Sequence, residues 1–242
     1  MKVTVIIPAA GLGTRMTAAS APAKKPIPSK QFIEIGGTPI LIHTLRKFAA
    51  LDEVSEIVVA LREPEIAPFT AGLSADHGQI AKKVRCVVGG ERRQDSVSNA
   101  LDSIHAQPDD IVLVHDAVRP FVSSEIIRDV IHAAQKHGAA IAGVPAIDTV
   151  KQVERTSDGA LITATLPRER IVMAQTPQGF RFAVIQKAFE EANKDGFLGT
   201  DEASLVERLD HEVAVVMGSP RNIKITTPLD MELAEFFLKL SS

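Results

Sequence analysis

The sequence predicts an α/β fold: a mostly parallel sheet with helices on both faces, plus a protruding β-hairpin arm. Short β-branched runs recur along the chain with helical patterns between them, the alternation that builds a parallel sheet covered on both sides. Ile111, Val112, Leu113 and Val114 form an unbroken apolar run, as expected of a strand buried on both faces. A length of 242 residues fits one domain, 1–242, with the arm at about 149–170.

In chain order, strands are expected at 3–7, 56–61, 84–88, 111–115 and 140–144. The segment 17–29, rich in Ala and Pro and carrying Lys24 and Lys25, reads as a loop rather than a packed element. Cys86 sits in the run VRCVV, read as a buried strand, which makes it a structural thiol rather than a nucleophile. Over 123–138 a serine cap and a terminal glycine bracket Ile126, Ile127, Val130, Ile131 and Ala134, one apolar face of a helix. Residues 149–166 read as two strands joined through Ser157, Asp158 and Gly159. A lone hairpin is marginal in water, so this one is expected to lean on something, a second subunit being one candidate. In the last helix Thr227 is the expected cap, and Leu229, Leu233, Phe236, Phe237 and Leu240 recur at core-facing spacing.

Composition narrows the function. With 27 basic and 30 acidic residues the net charge is −3, so no overall positive field draws in nucleic acid. One cysteine allows no intrachain disulfide and no thiolate zinc cluster, which fits a reducing compartment. Lys2, an apolar run and a later ASA triplet imitate an export signal, but Pro8, Gly11, Gly13 and Arg15 interrupt the run early. No stretch approaches a membrane span. The expectation is a cytoplasmic protein with small-molecule partners.

Three strand ends carry the chemistry. PAAGLGTRM at 8–16 is a glycine-rich turn directly after the first strand, where open parallel sheets bind ligands. Gly11 and Gly13 free backbone N–H groups for phosphate oxygens, and Arg15 adds a permanent cation. Met16 stands where a dinucleotide fingerprint needs its third glycine, so an NAD-dependent oxidoreductase is disfavoured, and no Gly-Lys-Ser/Thr follows for a P-loop. His115 and Asp116 leave the fourth strand, where a carboxylate suits a magnesium ion or a sugar hydroxyl. His115 has no partner at metal-ligand spacing and reads as structural. Gly89 and Gly90 form another turn before a helix opening near Asp95 and Ser96, with Asp95 a candidate cap. Lys151, Arg168 and Lys224 are further cations beside strand ends.

With PAAGLGTRM, SKQF, GGERRQDSV, HDAVRP, AIDTVK, AQTPQGF, TDEAS and NIKITTP in order along nearly the whole chain, the sequence resembles the 2-C-methyl-D-erythritol 4-phosphate cytidylyltransferases. That resemblance implies a Rossmann-like fold and a reaction of CTP with a polyol phosphate, assisted by Mg2+, that yields the diphosphocytidyl product and pyrophosphate. It implies that Ala9, Ala10, Gly11, Arg15 and Lys30 match the phosphate-binding loop, with Arg15 and Lys30 as its catalytic cations. Gly90, Glu91 and Ser96 match the turn that reads cytosine. Asp116, Ala117 and Arg119 match the segment at ribose, metal and substrate, with Asp116 the metal contact. Thr149, Arg168 and Lys224 match residues that hold the sugar phosphate. The family is homodimeric, so the arm would exchange between subunits and carry Thr149 and Arg168 to the neighbour's site. Here the stretch between Arg15 and Lys30 is longer than in familiar members, and Lys24 and Lys25 are alternatives for the lysine role. Lys30 is favoured because Gln31 and Phe32 continue the family pattern. A ribitol 5-phosphate cytidylyltransferase and a non-catalytic nucleotide-binding module are the competing readings.

Overall fold

A computed structural model of the chain describes residues 1–11 and 29–240. Gly13, Arg15, Lys24 and Lys25 lie outside the described residues. Seven strands form one sheet: β1 (Val3–Pro8), β4 (Val54–Leu61), β5 (Val84–Val88), β6 (Ile111–Val114), β7 (Ala139–Pro145), β10 (Val172–Arg181) and β11 (Ala214–Met217). Their order is β11-β7-β10-β6-β1-β4-β5. All neighbours run parallel except β10, which lies antiparallel to both β6 and β7.

Side chains along the central strands alternate between two cores, as a period of two requires. Val5, Ile7, Ile111 and Leu113 enter one, which also takes in helices α1 (Ile40–Ala49), α2 (Glu63–Asp76), α3 (Gly78–Ala81) and α5 (Ser124–His137). Ile6, Val112, Val114 and Phe180 enter the other, beneath α4 (Arg93–Asp102), α6 (Phe182–Asp195) and α7 (Glu202–Glu207). The continuous apolar run of β6 is therefore buried throughout, as its sequence predicts. Helix α5 also matches expectation: Ser123 accepts a hydrogen bond from Ile126 N, Gly138 ends it at φ 88°, and the five named apolar residues are buried.

Four expectations need correction. Strand β10 was not anticipated, because Pro177 inside AQTPQGF reads as a strand breaker; the strand tolerates it where its register against β7 shifts, between Gln175 and Gln178. Strand β11, expected only as a short strand without bounds ahead of Lys224, spans Ala214–Met217 beside β7. Strand β5 is a sheet edge, so Cys86 is half-buried rather than enclosed, although burial still raises its thiol pKa. Helix α8 (Pro228–Leu240) has the expected Thr227 cap, but Leu229, Leu233, Phe236 and Leu240 face outward. Its buried residue is Ala234, beside Met231, because the helix meets the rest of the chain along a narrow line. That line faces the small hairpin of β2 (Glu34–Ile35) and β3 (Thr38–Pro39).

The arm is present as β8 (Val150–Thr156) and β9 (Gly159–Leu166), paired only with each other. Val153, Leu161 and Ile162 are exposed on it. Among the described residues no helix is long and apolar enough to cross a membrane.

Ser123→Ala removes one capping acceptor and is expected to cost about 1 kcal/mol. Phe180→Ala empties a fully buried ring site and is expected to cost roughly 3–5 kcal/mol. Urea unfolding of both variants checks the ranking, and equal losses would contradict the placement of the second core.

Candidate active site

The cleft forms where β1, β5 and β6 end on the same edge of the sheet. After Pro8 the backbone keeps beside β4, with Ala9 N donating to Ala60 O at 2.8 Å. A 3-10 turn at Lys30–Phe32 closes over it, tied by Gln31 Nε2 to Ala9 O at 2.5 Å. Ala9, Ala10, Gly11 and Lys30 thus line one wall of the cleft.

The opposite wall comes from the turn after β5. Gly89 N donates to Leu61 O at 2.7 Å, and a Cβ on Gly89 would stand 2.5 Å from that of Ala10. A Cβ on Gly90 would stand 2.3 Å from that of Asp95. Both glycines are therefore required by close approach, which lets this turn and the loop after β1 share one narrow opening. Ser96 is buried, accepts from Gly90 N at 3.1 Å and donates to Arg92 O at 3.1 Å. Its hydroxyl shapes the turn. Asp95 is not the cap expected of it: α4 begins earlier than predicted, at Arg93, and Asp95, from within the first turn, accepts from the backbone N of the capping residue Arg92 at 3.1 Å.

Asp116 forms the floor. Its carboxylate receives Arg93 Nε at 3.3 Å, Arg119 Nε at 3.1 Å and Lys224 Nζ at 3.0 Å. Burial works against ionisation, but Arg93, Lys224 and Arg119 together hold Asp116 well below the usual carboxylate range. Arg93 also reaches both oxygens of buried Glu202, at 2.6 and 2.9 Å. Burial pushes the Glu202 carboxyl up, and the Arg93 guanidinium opposes that shift. Lys224 is brought in because Ile225 N pairs with Val118 O at 3.0 Å. Three cations against two carboxylates leave one positive charge on the cluster.

His115 is fully buried, as a structural residue should be. Its Nε2 lies 3.1 Å from Arg119 O and its Nδ1 3.1 Å from Thr176 Oγ1, which itself accepts from Asp116 N at 3.0 Å. Nε2–H donating to the carbonyl, with the threonine hydroxyl donating to Nδ1, satisfies every member and assigns the neutral tautomer. Burial lowers the imidazole pKa from 6.5 to about 4.

Of the residues picked from sequence, Ala9, Ala10, Gly11, Lys30, Gly90, Glu91, Ser96, Asp116, Ala117 and Lys224 all line this one cleft. Arg119 stands behind it, held by Asp116 and by Asn222 O at 2.7 Å. Thr149 and Arg168 do not join it: Thr149 is exposed beside the arm, and Arg168 Nη1 donates to Ile147 O at 2.8 Å. Sequence reasoning missed Arg93 and Glu202. The second arginine of GGERRQDSV and the acid of TDEAS were the available signals, but nothing in a linear pattern pairs residues 109 positions apart.

The donor set does not fit a magnesium ion held by the protein. Asp116 has both oxygens occupied by cations, and among the described residues no group of three or more His, Cys, Asp or Glu could hold a metal.

A family model described as 2-C-methyl-D-erythritol 4-phosphate cytidylyltransferase matches residues 3–240. The chain belongs to that family. It is a nucleotidyltransferase by membership, and relatives of the same name extend the match over its full length. The Acidobacterium capsulatum cytidylyltransferase is 57% identical over 100% of this chain and 99% of its own. The Solibacter usitatus cytidylyltransferase is 55% identical over 99% and 96%. Among solved structures, the Francisella tularensis cytidylyltransferase superposes with a TM-score of 0.79 at 37% identity, covering 98% of this chain and 99% of that one. The 4-diphosphocytidyl-2C-methyl-D-erythritol synthase of Anaerococcus prevotii gives 0.81 at 30% identity over 98% and 96%.

A buried histidine that stays neutral when folded makes stability depend on pH. Its contribution is complete above about pH 6.5 and is lost as the pH falls toward 4, because the unfolded chain binds the proton first. The expected loss across that window is about 3 kcal/mol, with a smaller slope from half-buried His43, whose pKa burial also lowers. Denaturant titrations from pH 7 to 4 should show this slope in the wild type and a much flatter one in His115→Gln.

Proposed function

We propose that the chain transfers the cytidylyl group of CTP to the phosphate of 2-C-methyl-D-erythritol 4-phosphate. The products are 4-diphosphocytidyl-2-C-methyl-D-erythritol and pyrophosphate, in isoprenoid precursor synthesis. The observation that carries this reading is the convergence of the loop at Gly11, the turn at Gly90 and the Asp116 cluster on one cleft, within a chain of this family. The relatives' shared name favours it over ribitol 5-phosphate as acceptor, and the cationic positions favour it over a non-catalytic binder.

The nucleophile is the acceptor's own phosphate oxygen. A phosphomonoester with a second pKa near ~6 is largely dianionic at neutral pH, so no general base is required. That oxygen bonds to the α-phosphorus of CTP while the bond from the α-phosphorus to the oxygen bridging to the β-phosphate breaks, and pyrophosphate leaves. The protein's task is to align two repelling anions and meet the growing negative charge with fixed cations.

Lys30 and Arg15 supply that charge at the nucleotide, and Gly11 and Gly13, with Ala9 and Ala10, give backbone room for its phosphates. Gly90 and Glu91 read the cytosine edge, with Ser96 holding the turn rather than touching the base, and Ala117 packs at the ribose. Asp116 orients Lys224 toward the acceptor phosphate and holds Arg119 behind it as further positive charge. Mg2+ fits on the oxygens of CTP's own phosphates, where it would neutralise charge, better than on Asp116. Thr149 and Arg168, which do not line this chain's cleft, complete the site of a second subunit through the exposed arm, making a homodimer. The enzyme works in the cytoplasm as one domain on small-molecule partners.

Lys30→Ala is expected to lower turnover about a hundred- to a thousand-fold while the Kd for CTP stays nearly unchanged. Stopped-assay pyrophosphate release and calorimetry measure the two, and an inactive Lys24→Ala beside a normal Lys30→Ala would move the role to Lys24. In competition assays, CTP with the erythritol phosphate should release pyrophosphate, whereas ATP, GTP or ribitol 5-phosphate should be poor replacements. Use of ATP as readily as CTP would remove the assigned base reading.

A further inference from the structure

A second cavity, of about 830 Å³, opens on the other side of the turn that carries Lys30. Its volume falls in the range of roughly 300–1,000 Å³ typical of small-molecule sites. One wall is Phe32, Pro39 and Ile42; the other is α2, through Glu65, Phe69 and Leu73. Phe32 and Phe69 lie with ring centroids 6.0 Å apart, giving the cavity an aromatic side.

We propose that this groove is a second binding site, for a small organic cation with an ammonium or amidinium head and a flat apolar body. Three observations specify that chemistry. Glu65 Oε1 takes hydrogen bonds from Ser29 at 2.8 Å and from Arg62, whereas Oε2 is buried and has no donor among the described residues. A buried carboxylate oxygen is costly to leave unbonded, and a turn of the Glu65 side chain toward the groove would bring Oε2 to a cationic N–H donor. The lining is also negative, since Glu34, Glu65 and Asp76 face one cation, Arg62, already bonded to Glu65. Finally, Gly72 lies inside α2, where glycine weakens a helix, yet a Cβ there would meet nothing within 4 Å among the described residues. No internal packing requires that glycine; it keeps the groove open.

The groove and the nucleotide cleft share a turn. Ser29 and Phe32 face the groove, while Lys30 and Gln31 between them line the cleft. An occupant pressing on Phe32 and Ser29 therefore shifts Lys30, so binding changes kcat. This coupling, unlike the binding itself, rests on the role given to Lys30 above.

The test titrates benzamidinium into the full-length protein without CTP and follows backbone amide shifts, with neutral benzamide as the matched control. Shifts should centre on Ser29, Phe32, Phe69 and Gly72, and benzamide should bind about tenfold or more weakly. Glu65→Gln should weaken benzamidinium by a similar factor. Gly72→Leu, which fills the groove with a better helix former and leaves Glu65 in place, should abolish the shifts. Equal binding of benzamide, or shifts that survive Gly72→Leu, would overturn the site. In the turnover assay, benzamidinium should change kcat in the wild type and not in Gly72→Leu; an unchanged wild-type kcat with binding intact overturns the coupling. Because the titration contains no nucleotide, failure of the transfer reaction would leave its result standing.

Discussion

Asp116 is a carboxylate that folding removes from water and that nevertheless stays charged. Isolated, such a group would take up a proton. It remains ionised because Arg93 from α4, Arg119 from its own turn and Lys224 from the segment before α8 all end on it. Each brings a different part of the chain, so the carboxylate is both an electrostatic anchor and the point at which three elements are registered against one another. Glu202 extends the arrangement by fixing the far side of Arg93. Loss of any one member would leave another buried charge without a counterpart, which is a larger penalty than the pair's own net worth.

The rest of the cleft follows from sheet order. Strands β1, β4 and β6 are adjacent and parallel, with β5 beside β4, so the loops after them open on one edge. Close approach of Gly89 to Ala10 then sets how narrow the opening is. Cations and backbone groups collected there can act on phosphates without a nucleophilic side chain, and a neutral His115 beneath them braces the floor without adding charge.

Much of this was legible in the sequence. The β-branched runs, the fully apolar 111–114 segment, the bracketed helix over 123–138 and the turn chemistry at 157–159 depend on local preferences, and local preferences are written in local residues. Eight of the ten chosen site residues that meet in one cleft lie just after β1, β5 and β6, strands found from pattern, whereas the family motifs SKQF and NIKITTP brought in Lys30 and Lys224. What escaped is non-local. Pro177 disguised β10, whose neighbours on both sides dictate its conformation. The spacing in α8 suggested a core face, but spacing does not say how much partner surface exists to cover it. The link between Arg93 and Glu202 is a tertiary contact with no sequence period.

The antiparallel run of β10 has its origin in the arm. The chain leaves the sheet at Pro145, forms β8 and β9, and returns at Val172 beside the strand it has just left, with Val172 paired to Pro145. Everything between those two residues is topologically an excursion with adjacent exit and entry points. Lengthening or shortening it at Ser157 and Asp158 would alter how far the hairpin extends while every rung of the seven-stranded ladder stays as it is. The length of the arm and the integrity of the seven-stranded body can therefore vary independently in this architecture.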